Sequence, residues 1–160
     1  MVLQSISLDE IDAVKTLFVM FRIRGDDLNT QAVTSDLNIQ PTLVYQKGEK
    51  FVGKKYDPIA KKRVKEIHTH YFSVWDVSSE SQQDLKRVRE HIEYVLNILE
   101  PHSQAINRYL EQNEKYTISF YIRWEPNCES GSYQVPGDLL GRMAKLCHFT
   151  EFSFIGIFSK

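Results

Sequence analysis

Met20-Phe21-Arg22-Ile23-Arg24 and, towards the other end, Ser119-Phe120-Tyr121-Ile122-Arg123-Trp124 read as the same phrase. In each, side chains alternate with the period of two that a half-buried strand requires. Each is followed by a polar turn and a short apolar-periodic segment, ending near Ile39 in the first case and near Cys147 in the second. Two such strand-to-helix passages predict one sheet-and-helix domain spanning residues 1–160. Neither passage carries a catalytic motif.

Outward from the first phrase, Ser7-Leu8-Asp9-Glu10 has capping-box spacing, so residues 1–17 read as an N-terminal extension with a short helix. A strand is the alternative there, because Val14, Phe18 and Val19 also suit a sheet. Phe18–Arg24 is the first strand. After the Gly25-Asp26-Asp27 turn, Asn29 or Thr30 caps a helix that buries Leu28, Val33 and Leu37 and stops before Pro41. A short strand at Leu43–Tyr45 follows, and residues 47–65 form a polar hairpin excursion. Ile67–Val77 is rich in β-branched and aromatic residues and reads as a single strand. The longest helix is predicted over Ser81–Leu99, with Leu85, Val88, Ile92, Val95, Leu96 and Leu99 on one stripe and Ser78, Ser79 and Ser81 competing for its cap. Pro101 stops it, and a second helix runs over His102–Gln112. Tyr116–Trp124 is a strand, and residues 126–134 are a loop. Pro136 opens a helix with Leu139, Leu140, Met143 and Leu146 inward. Phe152–Phe158 reads as a buried closing strand, weakened at Gly156.

The predicted fold class is α+β, with order β-α-β-β-α-(α)-β-α-β and helices on one face of a mixed or antiparallel sheet. The first six main elements follow a ferredoxin-like split unit, and an extra α-β is appended.

The chain has 160 residues, of which 20 are basic and 21 acidic, for a formal charge of −1. No global field draws it to nucleic acid or to a membrane. Its two cysteines, Cys128 and Cys147, fit no paired-ligand spacing and suggest a reduced, intracellular protein. No secretory pattern is visible, and no apolar run is long enough to span a bilayer, so the expected location is cytoplasmic.

Leu28-Asn29-Thr30-Gln31-Ala32-Val33-Thr34-Ser35-Asp36-Leu37-Asn38-Ile39-Gln40-Pro41-Thr42, followed by Lys47-Gly48-Glu49, resembles the opening of the bacterial domain of unknown function 4279 family. Trp75, Leu99-Glu100-Pro101 and Phe152–Phe158 are similar to its later phrases. Asn38 stands where the family often has glycine, and asparagine tolerates the left-handed turn. The resemblance covers residues 18–158 and implies an α+β fold with no established activity. Other families of this size include toxin-neutralising immunity proteins, which supplies an analogy for function.

Three groups of residues could carry function. Between residues 47 and 65, Lys47, Lys50, Lys54, Lys55, Lys61, Lys62, Arg63 and Lys65 stand against only Glu49 and Asp57, a local charge of +6, with Phe51 and Tyr56 interleaved. Such a segment can meet an acidic protein surface, bind phosphates and stack bases, or simply be a solvated hairpin whose lysines discourage edge pairing. Glu66, His68 and His70 alternate along one strand, with the histidine Cα atoms about 6–7 Å apart, so they can converge on a zinc or iron ion or form a plain polar face. Arg22, Arg24, Asp26 and Asp27, with Arg123 and Glu125 at the matching place in the second half, can meet in a cleft or form ion pairs beside the sheet. Trp75 and Trp124 read as core. No nucleophile elbow, phosphate-binding glycine loop, dinucleotide fingerprint or His-Glu-x-x-His occurs. Cys147 and His148 diverge on a helix end and make no catalytic pair.

The expectation is a non-enzymatic module without a cofactor that binds an unknown protein, such as a toxin, through the basic hairpin. A metal- or ligand-binding role for Glu66, His68 and His70 is the alternative, and nucleic-acid binding is the third reading.

Overall fold

The structure is a computed structural model and describes residues 14–126 and 132–155. The Ser7–Glu10 capping box, Cys128 and the Gly156–Phe158 end of the last strand lie outside the described residues. The elements run β1 (Val14–Gly25), α1 (Thr30–Leu37), β2 (Leu43–Tyr45), β3 (Lys50–Asp57), β4 (Lys62–Thr69), β5 (Ser73–Ser78), α2 (Val88–Leu99), α3 (Ser103–Leu110), β6 (Thr117–Pro126), α4 (Gly137–Ala144) and β7 (Phe149–Phe154). A 3₁₀ turn at Glu100–His102, with Pro101 in it, joins α2 to α3.

The two phrases that open the sequence are the heart of the sheet. They are β1 and β6, paired antiparallel along nearly their whole length, with Phe21 opposite Phe120 and Ile23 opposite Ile118. The five-stranded sheet has the order β2-β5-β1-β6-β7. β5 lies between β1 and β2, and β1 between β5 and β6, so both crossover units are split as expected. α4 then carries the chain to β7, which runs parallel to β6. All four helices pack against the sheet or one another, α1 on β5, α2 on β1, α3 on β6 and α4 on β7.

The period of two explains which face they cover. Val19, Phe21 and Ile23 of β1, Trp75 and Val77 of β5, and Ile118, Phe120 and Ile122 of β6 are directly paired neighbours and all belong to the core. The helices answer with Val33 and Leu37, with Val88, Ile92, Val95, Leu96 and Leu99, with Ile106, and with Leu139 and Met143. Trp75 is anchored by its indole N–H, which donates to Thr34 Oγ1 at 3.0 Å. α1 starts and ends as the sequence requires. Asn29 Oδ1 accepts the N–H groups of Gln31 and Ala32, and Asn38 closes the helix in the left-handed region at φ 51°.

Four expectations are corrected. α2 starts at Val88 and not at Ser81. The Glu90 carboxylate accepts the N–H groups of Lys86 and Arg87 and fixes the start there, while Ser79 is occupied with β1, accepting the Val19 N–H at 2.9 Å. Ile67–Val77 is two strands, since the chain turns at residues 70–72 between β4 and β5. The last strand starts at Phe149 and lies at the sheet's edge, with Phe149, Phe152 and Phe154 each about half exposed, not buried. Leu140 faces outward, one residue past the inward Leu139.

Candidate functional site

The predicted hairpin excursion is a two-stranded arm, β3 against β4, that forms a sheet of its own. It is the distal part of one long hairpin. Tyr45 pairs with Val74 in the main sheet and Lys50 with Thr69 in the arm, an advance of five residues on each strand, so the register is kept through the corner. The corner is made locally. Glu49 N–H donates to the Gln46 carbonyl, Glu49 Oε2 accepts the Gln46 N–H, and Gly48 sits at φ 88°, which favours glycine. Lys47 Nζ contacts Asp26 at 2.7 Å, and Gln46 bridges Thr30 and Ser73. At the tip, Asp57 Oδ1 accepts the N–H groups of Ile59 and Ala60, and Lys61 takes φ 49°.

In an antiparallel ladder, directly paired residues share a face. The register therefore divides the arm in two. One face carries Phe51 with His68, Gly53 with Glu66, Lys55 with Val64, and Asp57 with Lys62. The opposite face carries Lys50 with Thr69, Val52 with Ile67, Lys54 with Lys65, and Tyr56 with Arg63. Every acid of the two strands falls on the first face, and the second holds four cations and no acid.

The first face is engaged with itself. Tyr45 of the main sheet stacks on His70, with ring centroids 3.7 Å apart, and His70 stacks on Phe51 at 4.3 Å. Phe51 in turn lies 5.4 Å from the His68 ring. Gly53 makes room for that ring, because a Cβ there would fall 2.3 Å from His68 Cδ2. Lys55 and His68 flank Glu66 at 3.5 and 3.6 Å. Of the three residues proposed for a metal, Glu66 and His68 thus come together while His70 is held in the aromatic stack. Among the described residues, no group of three or more His, Cys, Asp or Glu is placed to hold a metal ion.

The second face is bare. Val52 is 65% exposed, Ile67 70% and Tyr56 58%. This face continues the row that in the main sheet carries Trp75 and is roofed by helices. Val52 and Ile67 were not singled out by charge or motif; the turn at Asp57-Pro58 would have fixed the register that separates them from the acids. Of the remaining predicted contact residues, Lys47 is at the root, Lys61 is at the tip, and Phe51, Lys55 and Lys62 belong to the first face.

The arginine cluster does not converge on one cleft: Arg24, Asp26 and Asp27 line a pocket with Phe72 and Lys115, away from Arg123 and Glu125. β1 and β6 are antiparallel, so the turn after Arg24 lies at the Thr117 end and Glu125 at the other. The charges pair elsewhere. Arg22 Nε and Nη2 donate to the Asp76 carboxylate at 2.9 and 2.7 Å, Arg123 and Lys15 meet Glu125, and Arg24 lies over the Phe72 ring. Two further polar side chains are structural. His148 Nδ1 accepts the Ile118 N–H, which places its ring proton on Nε2 facing the Leu110 carbonyl. Burial pushes the neighbouring Cys147 thiol up, away from the reactive thiolate.

A family model described as a domain of unknown function matches residues 14–153. The chain belongs to the DUF4279 family. No curated protein and no solved structure matches it. The opening stretch by which this DUF4279 chain resembles its family, including the one departure at Asn38, holds places where the backbone turns or is pinned. Asn38 is the left-handed cap of α1, Thr42 Oγ1 accepts the Ser78 N–H, and Lys47-Gly48-Glu49 is the corner at which the arm leaves the sheet. No helix among the described residues is long and apolar enough to cross a membrane.

Proposed function

We propose that the protein is a non-enzymatic interaction module and that its partner, another protein, seats on the β3–β4 arm. The observation that supports this is an arm with no core of its own that holds apolar and cationic side chains out in solvent. A lone two-stranded hairpin is at best marginally stable in water. Directly opposed like charges such as Lys54 and Lys65 weaken it further. Such a sequence is poorly suited to stability and well suited to contact. Neutralising a toxin, as immunity proteins do, is the specific form of the reading that we favour, with the local charge of +6 steering an acidic partner.

The test is affinity capture from native-host lysate, with and without nuclease, using the intact chain and a variant with Lys54, Lys55, Lys61 and Lys62 all changed to Glu. The expected result is one stoichiometric protein that survives nuclease and whose affinity drops by at least about tenfold in the variant, with a flatter salt dependence. Capture that is indifferent to the four reversals would remove the arm from the contact.

A further inference from the structure

The geometry points to a single working face of the arm, the one bearing Lys50, Val52, Lys54, Arg63, Lys65 and Ile67, and to an acidic protein surface with an apolar centre as what covers it. This inference rests on the arm being the contact surface and names the side of it that binds.

Three observations carry it. First, the two faces differ in what they leave unmet. On one, Glu66 is flanked by Lys55 and His68, and Phe51 stacks on His70 and lies beside His68. On the other, no ion pair forms among the described residues, and Val52 and Ile67 stand directly paired and mostly exposed. Second, the bare face has the layout of a protein interface. Val52 and Ile67 form an apolar centre, and Lys50, Lys54, Lys65 and Arg63 surround it as a charged rim. The charge pattern specifies the partner's rim as carboxylates. Third, the chemistry disfavours phosphates and bases. Single strands are held by aromatic platforms between cations. Here Phe51, His68 and His70 are gathered on the opposite face, Tyr56 beside Arg63 is the one ring on this face and stands towards the tip, and branched aliphatic side chains occupy the centre where bases would lie.

The test uses the full chain and two fluorescein-labelled probes of equal charge, a peptide alternating leucine and glutamate and an oligothymidylate, followed by anisotropy. Circular dichroism verifies that each variant keeps its fold. The peptide is expected to bind. K54E/K65E and V52S/I67S should each weaken it at least about tenfold, and K55E/K62E, which removes the same charge from the opposite face, should weaken it only about threefold through lost steering. Equal weakening by K55E/K62E would overturn the face assignment while leaving the arm as the contact surface. Indifference to all three variants would overturn both. Oligothymidylate bound as tightly as the peptide, and unaffected by V52S/I67S, would replace the protein partner with a phosphate backbone.

Discussion

Arg22 and Asp76 face each other across β1 and β5 on the side of the sheet that the helices leave open. The Asp76 side chain has no exposure, and that of Arg22 keeps 29%. Burial pushes the carboxyl up and the guanidinium opposes it; two short, nearly parallel hydrogen bonds fit the ionised pair. Arg22→Met should therefore cost about 3–5 kcal/mol in urea unfolding, because it strands a buried carboxylate, whereas adding Asp76→Leu should recover most of the loss. Unfolding free energies that drop equally in the single and double variants would contradict this. His91 offers a second check. It is buried against Ser79 Oγ at 2.8 Å and the Leu85 carbonyl at 3.2 Å, and desolvation depresses its pKa despite Glu90 nearby, with Lys86 acting in the same direction as burial. A depressed folded pKa means that below about pH 6.5 the unfolded chain binds a proton that the folded chain refuses, so stability falls as pH falls. His91→Gln should flatten the decline in Tm between about pH 7.5 and 5.5.

Within the arm, orientation depends on the stack Tyr45–His70–Phe51, which joins the last residue of β2 to the first turns of the ribbon. Each such contact is worth about 0.5–1.5 kcal/mol. His70→Ala removes two of them and should speed amide exchange throughout residues 50–69 by about tenfold or more, leaving β1 and β6 unchanged. Protection lost equally in the main sheet would show that the arm and the sheet open together. This element also shows where the sequence stops being informative. Alternation and helix stripes were enough to place β1, β6 and the ends of α1, because burial on one face imposes a period that composition reveals. The corner at residues 70–72 was hidden, since Ile67 to Val77 is rich in β-branched and aromatic residues and contains neither glycine nor proline. The division of the arm into two faces was hidden too. It depends on cross-strand register, which no single strand displays.

The molecule as a whole separates its charge. A net −1 with +6 on residues 47–65 leaves −7 on the remainder, an asymmetry that would turn any acidic surface towards the arm before contact. The core is assembled without the arm, from β1, β5, β6 and the helices. Replacing residues 50–69 by Asn-Gly, a pair suited to a two-residue hairpin turn, should thus keep cooperative unfolding and shift Tm by less than about 4 °C. A collapse of cooperativity would mean that the arm is structural after all. The βαββαβ order, the appended α-β and the tryptophan core were legible because they follow from local patterns repeated along the chain. The exposure of β7 was not, since an edge strand and a central one can share an apolar composition.

The unbroken register through the corner has a consequence for how this family can diversify. Two residues added to each strand would extend the ribbon by about 7 Å and return every side chain to its own side. One residue added to a single strand would transpose the cationic and histidine sets along that strand and scramble both. Paired insertions would therefore change how far the arm reaches without changing what each of its sides presents, and unpaired ones would change what is presented at nearly constant length.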